Sequence, residues 1–304
     1  MRQSYLFFSV LAALVVISPL SVSLAQAETQ KPHDRTANRQ IISQKPSETP
    51  DQLLERGNAY VRLGNLEGAI ASFQAAIKLN PNLTAAHYNL GLAQAQAGQT
   101  QQAIYSFQRA ARLDPKFAMA YSNLGAALLQ GGKVPQAIAS LKRAIQLEPK
   151  LAIAYYNLGL ALKEQKDFNG AIANLQQSIR LNPQSPESYY NLGLIVQGKG
   201  DLTKAIALYE QALKLDPNYP EAYYNLGAAF LLQGNTDRAI VELQKATALR
   251  KGYADAFYTL GVAQAKLSQK QEAIQSFIQA KMFFNQQKNT QWANISEQQI
   301  QRLK

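Results

Sequence analysis

The chain has 304 residues, with 31 basic against 20 acidic side chains, a net charge of +11 and no cysteine. The missing thiol excludes disulfides, thiolate metal sites, cysteine nucleophiles and a lipid-modified cysteine behind a leader. The charge favours anionic surfaces or acidic partners, but the basic residues are scattered rather than clustered, a pattern that plain solubility also explains.

Residues 1–27 read as a signal peptide. Arg2 supplies the positive start, Tyr5 to Ile17 is an apolar run, Pro19 interrupts it, and Ala25-Gln26-Ala27 is a small-x-small cleavage site. The run is shorter than the about 20 residues a membrane span needs; an uncleaved anchor is the alternative. Nothing after residue 27 resembles a membrane helix. Residues 28–49 are polar, carry Pro32 and Pro46 and have almost no apolar period, so they read as a disordered linker.

From Pro50 to Gln287 one 34-residue pattern is written seven times, as 50–83, 84–117, 118–151, 152–185, 186–219, 220–253 and 254–287. In the fifth unit Tyr189, Leu192, Gly193 and Val196 lie on one face of a first helix. Gly198, Gly200 and Asp201 break it. Ala205, Ile206, Tyr209, Ala212 and Leu213 stripe a second helix, which Asp216-Pro217 ends because proline disfavours helix in the residue before it.

Position eight is glycine in every unit, from Gly57 to Gly261, and position twenty is alanine, from Ala69 to Ala273. A glycine inside a helix costs roughly 1 kcal/mol relative to alanine. The expected compensation is close helix approach, with Gly at eight meeting Ala at twenty. Position seven is leucine except for Arg56, a polar exception suited to an end unit. Position thirty-two is proline in five units, but Lys251 and Asn285 stand there in the last two, so the chain must turn after unit six without that stop. Pro135 falls at the start of a second helix, where proline is tolerated. In residues 288–304, Trp292, Ile295, Ile300 and Leu303 stripe a final helix of about 13 residues that caps the stack.

These residues resemble the tetratricopeptide repeat family. The family wants large residues at four and eleven, Leu-Gly at seven and eight, Ala, a large residue and Ala at twenty, twenty-four and twenty-seven, and Pro at thirty-two. Unit five matches throughout with Tyr189, Leu192, Gly193, Val196, Ala205, Tyr209, Ala212 and Pro217. Unit two departs with His87 and Gln94, and unit seven with Gln264. The resemblance implies an all-α fold, a right-handed α-solenoid of seven helix-turn-helix units plus the capping helix, with first helices lining an inner groove.

Positions two, five, six, nine, twelve and thirteen of each first helix are left free for that groove or the neighbouring unit. Position six carries Asn89, Asn123, Asn157, Asn191 and Asn225; position five carries Tyr88, Tyr156, Tyr190, Tyr224 and Tyr258. A file of amides can hydrogen-bond the backbone of an extended peptide, and tyrosines add amphipathic contact area. Equally, the asparagines can serve the stack and the tyrosines can be partly buried. Some family members clamp an acidic carboxy-terminus; Asn58 and Asn89 match that clamp, but Leu54, Met119 and Asn123 replace its basic residues, so that ligand is not expected.

No enzyme chemistry is expected. His33 lies in the linker and His87 at a packing position, without a second ligand at metal-binding spacing. No phosphate loop is present, and no cofactor or metal is expected. The leading expectation is an exported scaffold, periplasmic or extracellular, that binds a protein or peptide partner in its groove, in envelope assembly or biogenesis. Nucleic acid is not expected as a partner. The alternatives are weak association of a basic outer face with an anionic polymer or membrane surface, and a targeting arm for an enzyme on another chain.

Overall fold

A computed structural model of the chain describes residues 48–304. The segment read as a signal peptide, 1–27, and all but the end of the segment read as a linker, 28–49, lie outside the described residues. The described residues form fifteen α-helices and no strand. They belong to two compact units, one reaching to Leu147 and one from Glu148 to Lys304.

The first unit holds three hairpins: α1 (Pro50–Arg62) with α2 (Leu66–Leu79), α3 (Thr84–Gln96) with α4 (Thr100–Leu113), and α5 (Ala118–Gln130) with α6 (Val134–Leu147). The second unit holds four: α7 (Ala152–Glu164) with α8 (Phe168–Leu181), α9 (Pro186–Gly198) with α10 (Leu202–Leu215), α11 (Pro220–Gln233) with α12 (Thr236–Leu249), and α13 (Ala254–Lys266) with α14 (Lys270–Gln286). It ends with α15 (Thr290–Leu303), which packs on α14.

Local chemistry sets these boundaries. Thr49 and Gln52 close a capping box at α1, each side chain accepting the other's backbone N–H, at 3.2 and 2.9 Å. Position fifteen is left-handed in all seven hairpins. Five glycines occupy it with φ from 71° to 89°, while Lys166 and Ser268 hold it at 68° and 61°. One residue later, Asn65, Asp167, Asp201 and Asn235 cap the second helix through the N–H three positions on. The turn after unit six survives the loss of proline. The Arg250 N–H bonds Ala246 O at 3.0 Å and the Tyr253 N–H bonds Arg250 O at 3.1 Å, the same pair of bonds that Asp114 and Phe117 make after unit two. At Asn285 no such stop occurs, and α14 runs to 17 residues where the other second helices have 14.

The glycine at position eight is required for close approach, but its main neighbour is not the alanine at twenty. A Cβ built there would fall 2.7–2.9 Å from the side chain at twenty-four in Gly91, Gly159, Gly193, Gly227 and Gly261, and closer still in Gly57 and Gly125. Those side chains are Phe73, Phe107, Leu141, Leu175, Tyr209, Leu243 and Phe277, all at most 1% exposed. Helical side chains lean toward the helix N-terminus, so the residue one turn beyond the alanine covers the spot above it. The alanine carbonyl comes next, at 3.1–3.3 Å in Gly125, Gly159 and Gly227. Every alanine at twenty is fully buried. Burying each large side chain at twenty-four contributes about 1.5–3 kcal/mol, which offsets the glycine's cost.

The ends differ from the middle as the polar and aromatic exceptions demand. Arg56 is exposed, pairs with Glu48 and donates to Ser72 Oγ at 3.3 Å. On α15, Trp292 sits edge-on to Tyr258 at 5.1 Å and stacks on Phe284 at 5.9 Å, and Ile300 packs against Phe277.

Candidate binding face

Within each unit successive first helices touch: α1 with α3 and α3 with α5, then α7 with α9, α9 with α11 and α11 with α13. Their neighbouring faces bring together the tyrosines at five and the asparagines at six, but in a register that crosses hairpins. Asn123 Nδ2 donates to Tyr88 Oη at 2.9 Å, Asn191 to Tyr156 at 3.2 Å and Asn225 to Tyr190 at 3.1 Å. Each rung links an asparagine to the tyrosine thirty-five residues before it. Where that earlier residue is not tyrosine the rung is missing. Asn89, which has Leu54 at that offset, donates instead to Asn58 at 2.8 Å. Asn157, which has Ser122 at that offset, has no hydrogen-bond partner among the described residues.

The rungs are unequally open. Asn123, Asn157 and Asn191 are 1% exposed, and Tyr88 and Tyr156 are buried, so these side chains sit inside the stack. Asn89, Asn225, Tyr190, Tyr224 and Tyr258 are half-buried and keep an edge toward solvent. Burial pushes the Tyr88 phenol up to about 12 against the opposing Asn123 hydrogen bond. Tyr156 and Tyr190 are raised further, by burial first and then by the charges of Glu187 and Glu221. These phenols therefore act as neutral hydroxyls, accepting from an amide and offering an O–H.

The second unit adds groups that the pattern of fives and sixes did not reveal. Glu187, Glu221 and Asp255 occupy position two, and Tyr219 and Tyr253 position thirty-four. Tyr219 lies against Tyr190 at 4.8 Å, and Tyr253 against Tyr224 at 5.2 Å. Arg250 pairs with Glu221 and lays its guanidinium 4.7 Å from the Tyr253 ring centre. Lys163 donates to Asn191 Oδ1 at 3.1 Å; burial lowers its ammonium below the usual range, against Glu164. Reading positions two and thirty-four down the repeats would have shown the carboxylate and tyrosine files; the role of Arg250 has no periodic signal.

The departures of units two and seven are structural. His87 is buried and its Nε2–H donates to Pro81 O at 2.9 Å. Gln94 and Gln264 are buried and accept from Ser106 and Ser276, at 2.7 and 2.6 Å. Beside the first of these pairs a cleft of about 520 Å³ opens among Ile77, His87, Leu90, Gln94, Tyr105 and Ser106. Among the described residues no helix is long and apolar enough to cross a membrane, and no group of three His, Asp or Glu side chains is placed to hold a metal.

The TPR repeat family profile matches in six overlapping windows from residue 57 to residue 268: 57–98, 95–131, 125–166, 160–200, 198–234 and 229–268. No curated protein matches the chain. Among solved structures, MamA protein is similar at 29% identity over 55% of this chain and 92% of its own, with a TM-score of 0.50. TTC0263, a thermophilic TPR protein of Thermus thermophilus, is similar at 25% identity over 60% of this chain and all of its own, with a TM-score of 0.51. A tetratricopeptide repeat protein of Parabacteroides merdae shares 19% identity over 82% of this chain and 98% of its own, with a TM-score of 0.63, a likeness of fold. The seven hairpins, their glycine-to-large-residue packing and the matched profile agree: this all-α repeat chain belongs to the tetratricopeptide repeat family.

Proposed function

We propose that the chain is a non-catalytic interaction scaffold that holds an extended segment of a partner protein along the face of its first helices. The observation that carries this reading is the repetition of half-buried amide and phenol side chains on the first helices of the second unit, Tyr190, Tyr224, Asn225 and Tyr258. Such groups match the donors and acceptors of a peptide backbone, and many modest contacts along a repeat array add up. The sealed Asn123 and Asn191 act behind them by fixing one hairpin to the next. The leader-like sequence at residues 1–27 supports export, and with it a role in envelope assembly or biogenesis outside the cytoplasm.

Affinity capture from the matching envelope fraction tests the reading. The wild-type chain should retain a defined protein at moderate salt, and Tyr224→Ala, Asn225→Ala and Tyr258→Ala together should lose it while keeping their helix content. Retention of the same protein by the triple variant would refute the face assignment. A second reading rests on the exposed Arg112, Lys142, Arg143, Arg180 and Lys214 of the second helices, which suit an anionic surface. It requires binding that collapses with salt and ignores the triple variant.

A further inference from the structure

The second unit carries one pair of side chains twice, a carboxylate at position two and a tyrosine at thirty-four, and among the described residues only one of the two pairs holds a cation. In unit six the seat consists of Glu221 at position two and Tyr253 at position thirty-four, and Arg250 at position thirty-one enters it, pairing with the carboxylate and lying on the ring. In unit five the same positions hold Glu187 and Tyr219, but position thirty-one is Asp216. Asp216 cannot fill the role. It is short, it is anionic, and its Oδ1 accepts the Asn218 N–H at 2.9 Å. Glu187 accepts only the neutral Ser185 hydroxyl, at 3.0 Å, and forms no ion pair among the described residues.

We infer that Glu187 and Tyr219 form a seat for the guanidinium of an arginine carried by a partner's extended segment. The inference rests on the reading above, that the first-helix face holds such a segment, and names the side chain it selects. A carboxylate in the first turn of α9 is favoured by the helix dipole whatever its function. That does not account for the tyrosine at thirty-four, nor for Arg250 having used the same pair one repeat later. The ring of Tyr219 is held by Tyr190, 4.8 Å away, so the cation meets a fixed aromatic surface beside a fixed charge. The Glu187 charge reaches the Tyr219 phenol, and among the described residues no basic side chain is paired with Glu187 to cancel it. Arginine fits better than lysine because its planar fork can pair with the carboxylate and stack on the ring together.

The probe is a dye-labelled octapeptide of alternating glycine and arginine, capped at both ends, against its citrulline counterpart, which keeps the shape and loses the charge. Fluorescence anisotropy with the full chain at physiological salt should show the arginine peptide binding and the citrulline peptide binding about ten-fold more weakly or less. Glu187→Gln should cost a similar factor. Asp216→Arg should cost it too, because the new guanidinium would occupy the seat as Arg250 does in unit six. Arg250→Ala should strengthen binding by releasing Glu221 and Tyr253. Wild-type affinity in both Glu187→Gln and Asp216→Arg, or no binding of the arginine peptide to the wild-type chain, overturns the seat. A gain in affinity on Arg35→Gln with Arg39→Gln would mean that the chain's own linker takes the seat, and overturns the assignment to a partner. Partner capture by Glu187→Gln separates the levels: capture kept there but lost in the triple variant leaves the scaffold standing and removes the seat.

Discussion

The two units are made of one hairpin, yet they use the same positions differently. In the first unit position two is Asp51, Ala85 and Met119, position thirty-four is Leu83 and Phe117, and a single phenol rung joins Tyr88 to Asn123. In the second unit position two is Ile153 and then Glu187, Glu221 and Asp255, position thirty-four is Ser185, Tyr219, Tyr253 and Gln287, and two phenol rungs run in succession. The packing side of the hairpin, glycine at eight against a large residue at twenty-four, is unchanged in both. Architecture and surface chemistry are therefore separable in this chain. The hairpin accepts different residues at positions two and thirty-four, and the second unit gathers carboxylates and tyrosines there.

The largest expected effect of that gathering is on alkaline stability. Burial raises the phenols of Tyr156, Tyr190, Tyr209, Tyr219, Tyr224 and Tyr253 in the second unit, and that of Tyr88 in the first. In the unfolded chain tyrosine ionises near pH about 10. Above that pH the unfolded chain releases protons that the native unit retains, so stability falls as pH rises, and the stability is fully present below it. With six raised phenols against one, the second unit should melt first on an alkaline titration. Trp292, the single tryptophan, lies in α15 and reports that unit. Its fluorescence change should precede the bulk loss of helical circular dichroism. Coincident transitions would show that the tyrosine file does not set the stability of the second unit.

The rungs themselves give the next effect. Asn191→Ala would strip a donor from the buried Tyr156 Oη and, at part-buried bonds, a donor from the Glu187 carbonyl and an acceptor from Lys163 Nζ. The expected loss is about 2 kcal/mol, seen as a lower urea midpoint by Trp292 fluorescence. Asn157→Ala is equally buried but breaks no hydrogen bond among the described residues, so it should cost less than about 0.5 kcal/mol. Equal losses would mean that burial, not pairing, explains the asparagine file.

These contrasts also mark what a single chain of letters can convey. The period alone carries the hairpin, because helix, turn and helix are decided by residues a few positions apart: Asp201 caps α10, Gly200 makes the turn, Pro217 follows the stop. The close approach at Gly193 follows from the cost of glycine, but its partner does not. Choosing Tyr209 over Ala205 needs the direction in which a helical side chain leans. The tyrosine and asparagine columns were visible as columns, whereas their pairing at an offset of thirty-five depends on how one hairpin slides against the next. That offset is a property of packed helices and has no trace inside one repeat. Arg250 is further out of reach, because it occurs once.

The smallest effect sharpens the division between packing and face within one helix. Gly193 and Gly198 both belong to α9. A Cβ at Gly193 would meet the Tyr209 ring at 2.7 Å, and that ring cannot retreat. Tyr190 lies 5.9 Å away on one side, and the Tyr209 hydroxyl donates to Gln197 Oε1 at 2.6 Å. Gly193→Ala should therefore lose about 2 kcal/mol, the overpacking cost exceeding the gain in helix propensity. At Gly198 a Cβ would meet nothing within 4 Å, the backbone is helical and the position is exposed. Alanine there keeps only the propensity gain, reduced because the residue is the last of its helix, and should raise stability by about 0.5 kcal/mol. The six other hairpins already place non-glycine residues at that position, among them Gln96, Gln130 and Leu232. A higher urea midpoint for Gly198→Ala beside a lower one for Gly193→Ala, both read from Trp292, would place the glycine requirement at position eight and nowhere else on the helix. A loss at Gly198 would mean that the last residue of α9 needs glycine for a reason that the open space around its Cβ position does not supply.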